Sequence, residues 1–426
     1  MVHQTIKISS AKAAKASSKI TAIVFAPSTR FARFASLRPA AALAILGLLA
    51  ACSTPPPSST APGKTAPSLG EARSAEAEAT PQRSRQVLLR ERSRWVAADW
   101  SELPGWGEDR ASELWPALLQ GCARPAPGWA EVCAQARVET PQSDAEASLW
   151  LMQHLRPYRV ESLEGEGQGL LTGYFEPQLE ARRRPQGAFQ VPVHAAPADL
   201  QQRRPYFTRQ QIESEPQLRA RLRKHELAFL DDPLDLLVLQ IQGSGRLRIS
   251  GPDGAEQWVR MAFAGHNDQP YQSVGKALIE RGELRPGEAS WPQIRDWLRR
   301  NPLRASEVLW SNPRYVFFRE EPLGDPNKGP RGAQGVPLTP GRSVAVDRAS
   351  IPYGTPLWLD SLDPMSLLPL RRLTMAQDTG SAITGAVRAD YFWGWGREAE
   401  AQAGRMKNPL RLWALWPATE AGKTLY

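Results

Sequence analysis

The sequence predicts a mainly β protein with some α-helix, an α+β chain built around a barrel rather than a doubly wound sheet. Strand-like runs follow one another without regular intervening helices, and 32 glycines and 38 prolines supply turns throughout the 426 residues. Three aspartates add a third observation. Asp347 closes the run Ser343-Val-Ala-Val346 before the turn signal Ile351-Pro-Tyr-Gly354, and Asp378 ends an apolar run before Thr-Gly-Ser. Asp390 then opens the aromatic cluster Tyr391, Phe392, Trp393 and Trp395.

An aspartate beside glycine ordinarily caps a turn by accepting backbone N–H bonds. The neighbours of Asp390 suggest more. Side chains alternate between the two faces of a strand, so these four rings cannot all be core, and some are expected to be exposed. An acid beside exposed rings suits a carbohydrate: sugar faces stack on the rings, and apolar surroundings raise the carboxyl pKa so that it can donate a proton.

The formal charge of +9 suggests nucleic acid only at first sight. Seven Lys and Arg lie in residues 1–51, where there is no Asp or Glu, which leaves about +2 for the rest and no case for a polyphosphate partner. Those basic residues precede the apolar run Ala40 to Ala51, which is too short for a stable membrane span and right for a signal peptide. The run ends in Leu49-Ala-Ala-Cys52, which resembles a bacterial lipoprotein cleavage box with Cys52 as the lipidated residue. Ser53 is not the acidic residue that retains such proteins at the inner membrane, so the expectation is an outer-membrane lipoprotein facing the periplasm. Residues 52–88, rich in Pro, Ser and Ala, read as a flexible tether. In an oxidising periplasm Cys122 and Cys133 are candidates for one disulfide. The dispersed histidines, with no HExxH or CxxC, support no metal, and no cofactor motif occurs.

From about residue 90 to 156 the period is helical, with Asp109 and Asp144 as N-cap-type residues and Trp115 and Trp150 as core. His154 reads as a structural histidine on a last helical turn. Tyr158 to Val193 reads as a hairpin, and Leu234 to Ile249 as two strands around Gln242-Gly-Ser-Gly245. That tetrapeptide is either a plain hairpin turn or a site where Gln242, Ser244 and backbone meet a ligand. Short helices are expected from Thr208, over 272–281, over 291–298 and over 304–310, and strands at 315–318 and 410–415.

Val346-Asp347 to Gly354, Ala376-Gln-Asp378 to Gly385 and Asp390-Tyr-Phe-Trp-Gly resemble the three-aspartate domain, a double-psi β-barrel. With Thr172-Gly-Tyr-Phe-Glu-Pro177, Gln242-Gly-Ser-Gly245 and Tyr271-Gln-Ser-Val-Gly-Lys276, in family order, the chain from about residue 90 onward resembles the membrane-bound lytic murein transglycosylase A family. Ser381, where a second glycine is expected, and the additional rings Trp393 and Trp395 depart from the family pattern. The resemblance implies a barrel domain from 89–189 and 319–426, with an inserted β-rich domain, 190–318, as the other wall of a glycan groove. It implies cleavage of the β-1,4 bond between N-acetylmuramic acid and N-acetylglucosamine to leave a 1,6-anhydro end. By motif, Asp390 is the acid/base with Asp378 and Asp347 as supporting acids, and Thr172, Tyr174, Gln242, Ser244, Gly245, Tyr391 and Trp393 are groove contacts. A cell-wall synthesis or remodelling complex is the candidate protein partner.

The chemistry needs little more. One carboxylic acid protonates the glycosidic oxygen, and the resulting carboxylate takes a proton from the C6 hydroxyl as that oxygen attacks C1 of the same sugar. Two rivals stay open on the sequence: an inverting hydrolase in which Asp378 activates water, and a non-catalytic glycan-binding or wall-loosening protein.

Overall fold

The chain enters its first sheet as short strands, β1 (Val87–Leu89) and β2 (Arg94–Ala97), where the helical period was expected to begin. The structure, a computed structural model, describes residues 85–251 and 254–420. The signal peptide, Cys52 and most of the tether lie outside the described residues, although the expected end of the tether, Val87 and Leu88, is already in β1. Three helices follow, α1 (Trp115–Gly121), α2 (Ala130–Val138) and α3 (Asp144–His154). Ser143, not Asp144, caps α3 by accepting from Glu146 N–H. Asp109 caps nothing either: it is buried in an ion pair with Arg342, whose guanidinium lies 2.5 and 3.0 Å from its oxygens.

The Cys122–Cys133 disulfide closes the turn between α1 and α2. Joining residues eleven apart removes loop entropy from the unfolded chain that is worth about 3 kcal/mol. Cys122→Ala/Cys133→Ala is expected to lower the urea midpoint by the equivalent of 2–3 kcal/mol, and dithiothreitol should lower the parent midpoint while leaving the variant unmoved.

The expected hairpin over 158–193 is four strands in three sheets: β3 (Leu155–Glu161), β4 (Gly169–Glu176), β5 (Gln178–Ala181) and β6 (Val191–His194). Alternation marks a strand but does not choose its partner. Here β3 and β4 both pair with the last strand of the chain, and β6 pairs with β7 (Glu226–Leu230). Helices α4 (Arg209–Ser214) and α5 (Pro216–Leu222) lie between β6 and β7.

The run after Asp232 is also different from expectation. It forms helix α6 (Pro233–Gln242), not a strand. Its continuous apolar pattern fits a buried helix as well as a buried strand, and the end signals decide. Asp232 accepts from Leu234 N–H, Pro233 occupies the first turn, and Gly243 ends the helix in the left-handed region at φ 81°. Strands β8 (Ser244–Ser250), β9 (Glu256–His266) and, after helices α7 (Val274–Glu280), α8 (Trp291–Arg300) and α9 (Pro302–Trp310), β10 (Val316–Pro322) then complete a four-stranded sheet in the order β10-β9-β8-β5.

The chain returns to the first sheet through β11 (Ser343–Val346), β12 (Pro356–Leu362), β13 (Pro369–Asp378) and β14 (Arg388–Trp395). Helix α10 (Gly396–Ala403) then leads into β15 (Lys407–Pro417), the last strand among the described residues. The order of this nine-stranded sheet is β1-β2-β3-β15-β12-β13-β11-β14-β4, and β15 also pairs with β4. The hydrogen bonds therefore close a circuit of six strands. Its interior and the helices α1 to α3 share one core, in which Trp95, Trp129, Trp358 and Trp416 are buried. Trp115 and Trp150 belong to it as expected. A second core fills the four-stranded lobe, and a third packs α6 to α9 against Phe175 and α10.

Candidate active site

Register brings the two central acids together. In β11, Ala345 is the partner of Asp378 in β13 on one side and of Asp390 in β14 on the other. Asp390 in turn is the partner of Thr172 in β4. Directly opposed residues point to the same face of a sheet, so Asp378, Ala345, Asp390 and Thr172 form one row, with a small alanine leaving room between the carboxylates.

Each acid has its own donors. Thr172 Oγ1 donates to Asp390 Oδ1 at 2.5 Å and accepts from Arg388 Nη2 at 2.9 Å. Tyr174, two residues on and on the same face, donates from Oη to Asp378 Oδ2 at 2.9 Å, and Ala333 N–H donates to Oδ1 at 2.9 Å. Gly173 between them cannot carry a side chain, since a Cβ there would meet the Trp393 indole at 2.7 Å and the backbone of Ala403 at 2.9 Å.

Burial pushes the Asp390 carboxyl up to about 6; the Thr172 bond and the Arg388 charge oppose the rise, and Asp378 adds to it. Burial raises Asp378 as well, against donors from Thr379, Ala333 and Tyr174. The Tyr174 phenol is pushed well above its ordinary 10 by burial and by both carboxylates, so it acts as a fixed donor. Burial thus lets Asp390 keep its proton to a higher pH than an ordinary aspartate does.

Asp390 lines a cavity of about 190 Å³ between the two larger sheets. The first sheet contributes Arg388 and the turn Gly380–Ile383; the second lobe contributes Gln240, Tyr271, Asn312 and Arg314. Asp347 is not among its lining residues. Its carboxylate accepts from Ala349 N–H at 3.0 Å and Gly385 N–H at 2.8 Å and pairs with Arg92 at 3.2 Å, so it fixes the 380–385 turn and does not face the cavity.

Several residues expected as groove contacts are not among those that line this cavity. Tyr391 is buried with its hydroxyl donating to Gly341 O, and Trp393 packs on Tyr391 with its indole N–H on Met406. They share the strand face opposite to Asp390. Phe392 shares the strand face of Asp390 and is in contact with Tyr174 at 5.2 Å between centroids. Ser244 is buried, and a Cβ on Gly245 would meet Leu239 at 2.3 Å. Gln242 accepts from Phe175 N–H at 3.0 Å, tying α6 to β4. The tetrapeptide is therefore not a hairpin turn but a helix end that leads into a strand, and it is not part of the lining of this cavity. Sequence reasoning missed Arg388, although its position two before Asp390 puts it on the same face. Arg314 and Asn312 carried no such signal.

A raised-pKa carboxyl, backed by a second acid and set in a cleft between two β-sheets, is the kind of arrangement that general acid–base chemistry uses. Two families match the chain: the one described as "MltA specific insert domain" over residues 170–319, and "3D domain" over 342–416. Membrane-bound lytic murein transglycosylase A of Escherichia coli K12 is 33% identical over 271 residues, 62% of this chain and 70% of the relative. Among solved structures, MltA from Neisseria gonorrhoeae has a TM-score of 0.67 at 31% identity, covering 78% of this chain and 95% of that one. E. coli MltA with bound chitohexaose has a TM-score of 0.58 at 26% identity, covering 72% and 90%. The chain belongs to the membrane-bound lytic murein transglycosylase A family.

Proposed function

We propose that this protein is a peptidoglycan lytic transglycosylase that cleaves the β-1,4 bond after N-acetylmuramic acid and leaves a 1,6-anhydro end, with Asp390 as acid and then base. The observation that carries the reading is the row in which a carboxyl of pKa about 6 faces a cavity between two lobes. Asp390 donates its proton to the glycosidic oxygen as the C1–O bond breaks. The carboxylate left behind takes the proton of the C6 hydroxyl as that oxygen bonds to C1, so no water enters the balance. Asp378 acts through its charge: it favours the protonated form of Asp390 and stabilises the positive charge that develops at C1. Asp347 is a positioning residue.

The glycan groove on this reading lies between the six-strand circuit, read as a double-psi β-barrel, and the lobe inserted between β4 and β11. A relative solved with chitohexaose supports a glycan as ligand. The names of the relatives support membrane association; Cys52 as a lipid anchor in the outer membrane, facing the periplasm, is our reading of the leader. The test is mass spectrometry of muropeptides released from purified sacculi by the full-length protein in detergent. Products lighter by one water than hydrolytic ones support the proposal; hydrated products would replace it with the hydrolase.

The pH profile follows from the same carboxyl. Because the active form is protonated, kcat/KM falls as pH rises through about 6. Thr172→Val removes a hydrogen bond that favours the ionised form. Its descending limb is therefore expected to move to higher pH, by about 1 unit. A limb unmoved in Thr172→Val, or moved to lower pH, would show that another group sets it.

A further inference from the structure

We propose that Arg314 binds the carboxylate carried by the muramyl residue of the glycan and so tells that sugar from neutral N-acetylglucosamine beside the acid. The inference rests on the glycan reading above. Three arginines line the cavity, and two are already committed. Arg209 is buried, pairs with Glu213 at 3.1 Å and donates to Asn312 O and Arg314 O. Arg388 bonds Leu170 O, Ala389 O and Thr172 Oγ1. Arg314 makes one side-chain bond, 3.3 Å from Nη1 to Gln269 O, and has no carboxylate within 4.0 Å among the described residues. Asp268, the acid that acts on it from further away, is paired with Arg204 and His266.

Arg314 is nevertheless held in place. Its N–H is 3.3 Å from Asn312 Oδ1, and its carbonyl accepts from the buried Arg209. A half-buried guanidinium with free N–H groups, facing a cavity whose acid is neutral when active, is built for an anion. Of the two sugars in the strand, only the muramyl unit has one. Its 3-O-lactyl group ends in a carboxylate where the peptide is absent, and carries the carboxylates of the peptide where it is present.

The test measures binding of full-length protein by calorimetry in an Asp390→Asn background, where strands stay intact. The probes are peptide-stripped glycan strands, the same strands methyl-esterified, and uncrosslinked strands that keep their peptides. The Asp390→Asn protein is expected to bind the stripped strands roughly 10–100-fold tighter than the esters, the size of a hydrogen bond to a charged group. Adding Arg314→Gln should reduce that ratio to within about 3-fold and leave ester binding unchanged, which also reports an intact fold; Arg314→Lys, lacking the fork, should fall between. Loss on the stripped strands assigns the lactyl carboxylate, and loss confined to peptide-bearing strands assigns the peptide. Full discrimination by Arg314→Gln on both kinds of strand, or equal weakening of the esters, overturns the proposal. Failure of the parent to release anhydro ends, with discrimination intact, would overturn the lytic reading alone.

Discussion

Asp390→Asn is expected to slow release of anhydromuropeptides by roughly 10²–10⁴-fold, the contribution of a positioned general acid, while strand binding changes little. The amide keeps the shape and an acceptor for Thr172 but has no proton to give. The same substitution should stabilise the fold. The carboxyl rises from its ordinary 3.8 to about 6 on folding. Between those values the native state holds more protons than the unfolded chain, so this group's contribution to stability falls as pH rises through the window. The cost is absent below it and complete above it. At about 1.4 kcal/mol per pH unit, it reaches at most about 3 kcal/mol at pH 7. Asp390→Asn should then resist urea better than the parent at pH 7, with the two midpoints converging near pH 3.5. A variant both inactive and less stable at pH 7 would mean that the carboxylate holds the strands together, and the acid role would lose its support.

The parts of this site that were legible in the sequence are those where chemistry and chain proximity coincide. Asp378 stood at the end of an apolar run before a glycine-containing turn, Asp390 at the head of an aromatic cluster, and Thr172-Gly-Tyr174 carried both their donors two residues apart. Strand parity was equally readable and points the other way for the rings: Tyr391 and Trp393 must face away from Asp390, and Arg388 and Phe392 must share its side. What could not be read was register. That Ala345 stands between the two acids follows from pairings among β13, β11 and β14, which the hydrophobic pattern of any one strand does not specify. Arg314 and Asn312 come from a turn some 75 residues before Asp390, and only the packing of the second lobe brings them to the cavity. Helix α6 was misread because a run apolar on all sides has no period to distinguish helix from strand.

Glu176→Gln is expected to cost 3–5 kcal/mol, a larger loss of stability than either the disulfide or the active-site changes bring. Glu176 ends β4, just before the chain passes into the second sheet, and it is wholly buried. Arg246 of β8 donates to it at 2.7 Å and Arg260 of β9 at 2.6 Å. The same two guanidiniums bond Pro326 O and Lys328 O in the segment that leads back to the first sheet, and Arg246 stacks on Trp395 at 3.7 Å. One carboxylate thus neutralises one of two buried cations, and backbone carbonyls help to solvate the other. Glutamine removes the negative charge of this triad and turns a donor toward an arginine, leaving two desolvated cations facing each other. Arg260→Met, in contrast, leaves a neutral pair of Glu176 and Arg246 and should cost much less, although it deletes a bond of the same length. Urea midpoints of the two variants at pH 7 decide the matter: equal losses would assign the effect to lost hydrogen bonds, and a loss confined to Glu176→Gln to unbalanced charge. Because the triad sits where the walls of the cleft are joined, the charge account also predicts that Glu176→Gln weakens strand binding below its unfolding transition, and Arg260→Met does not.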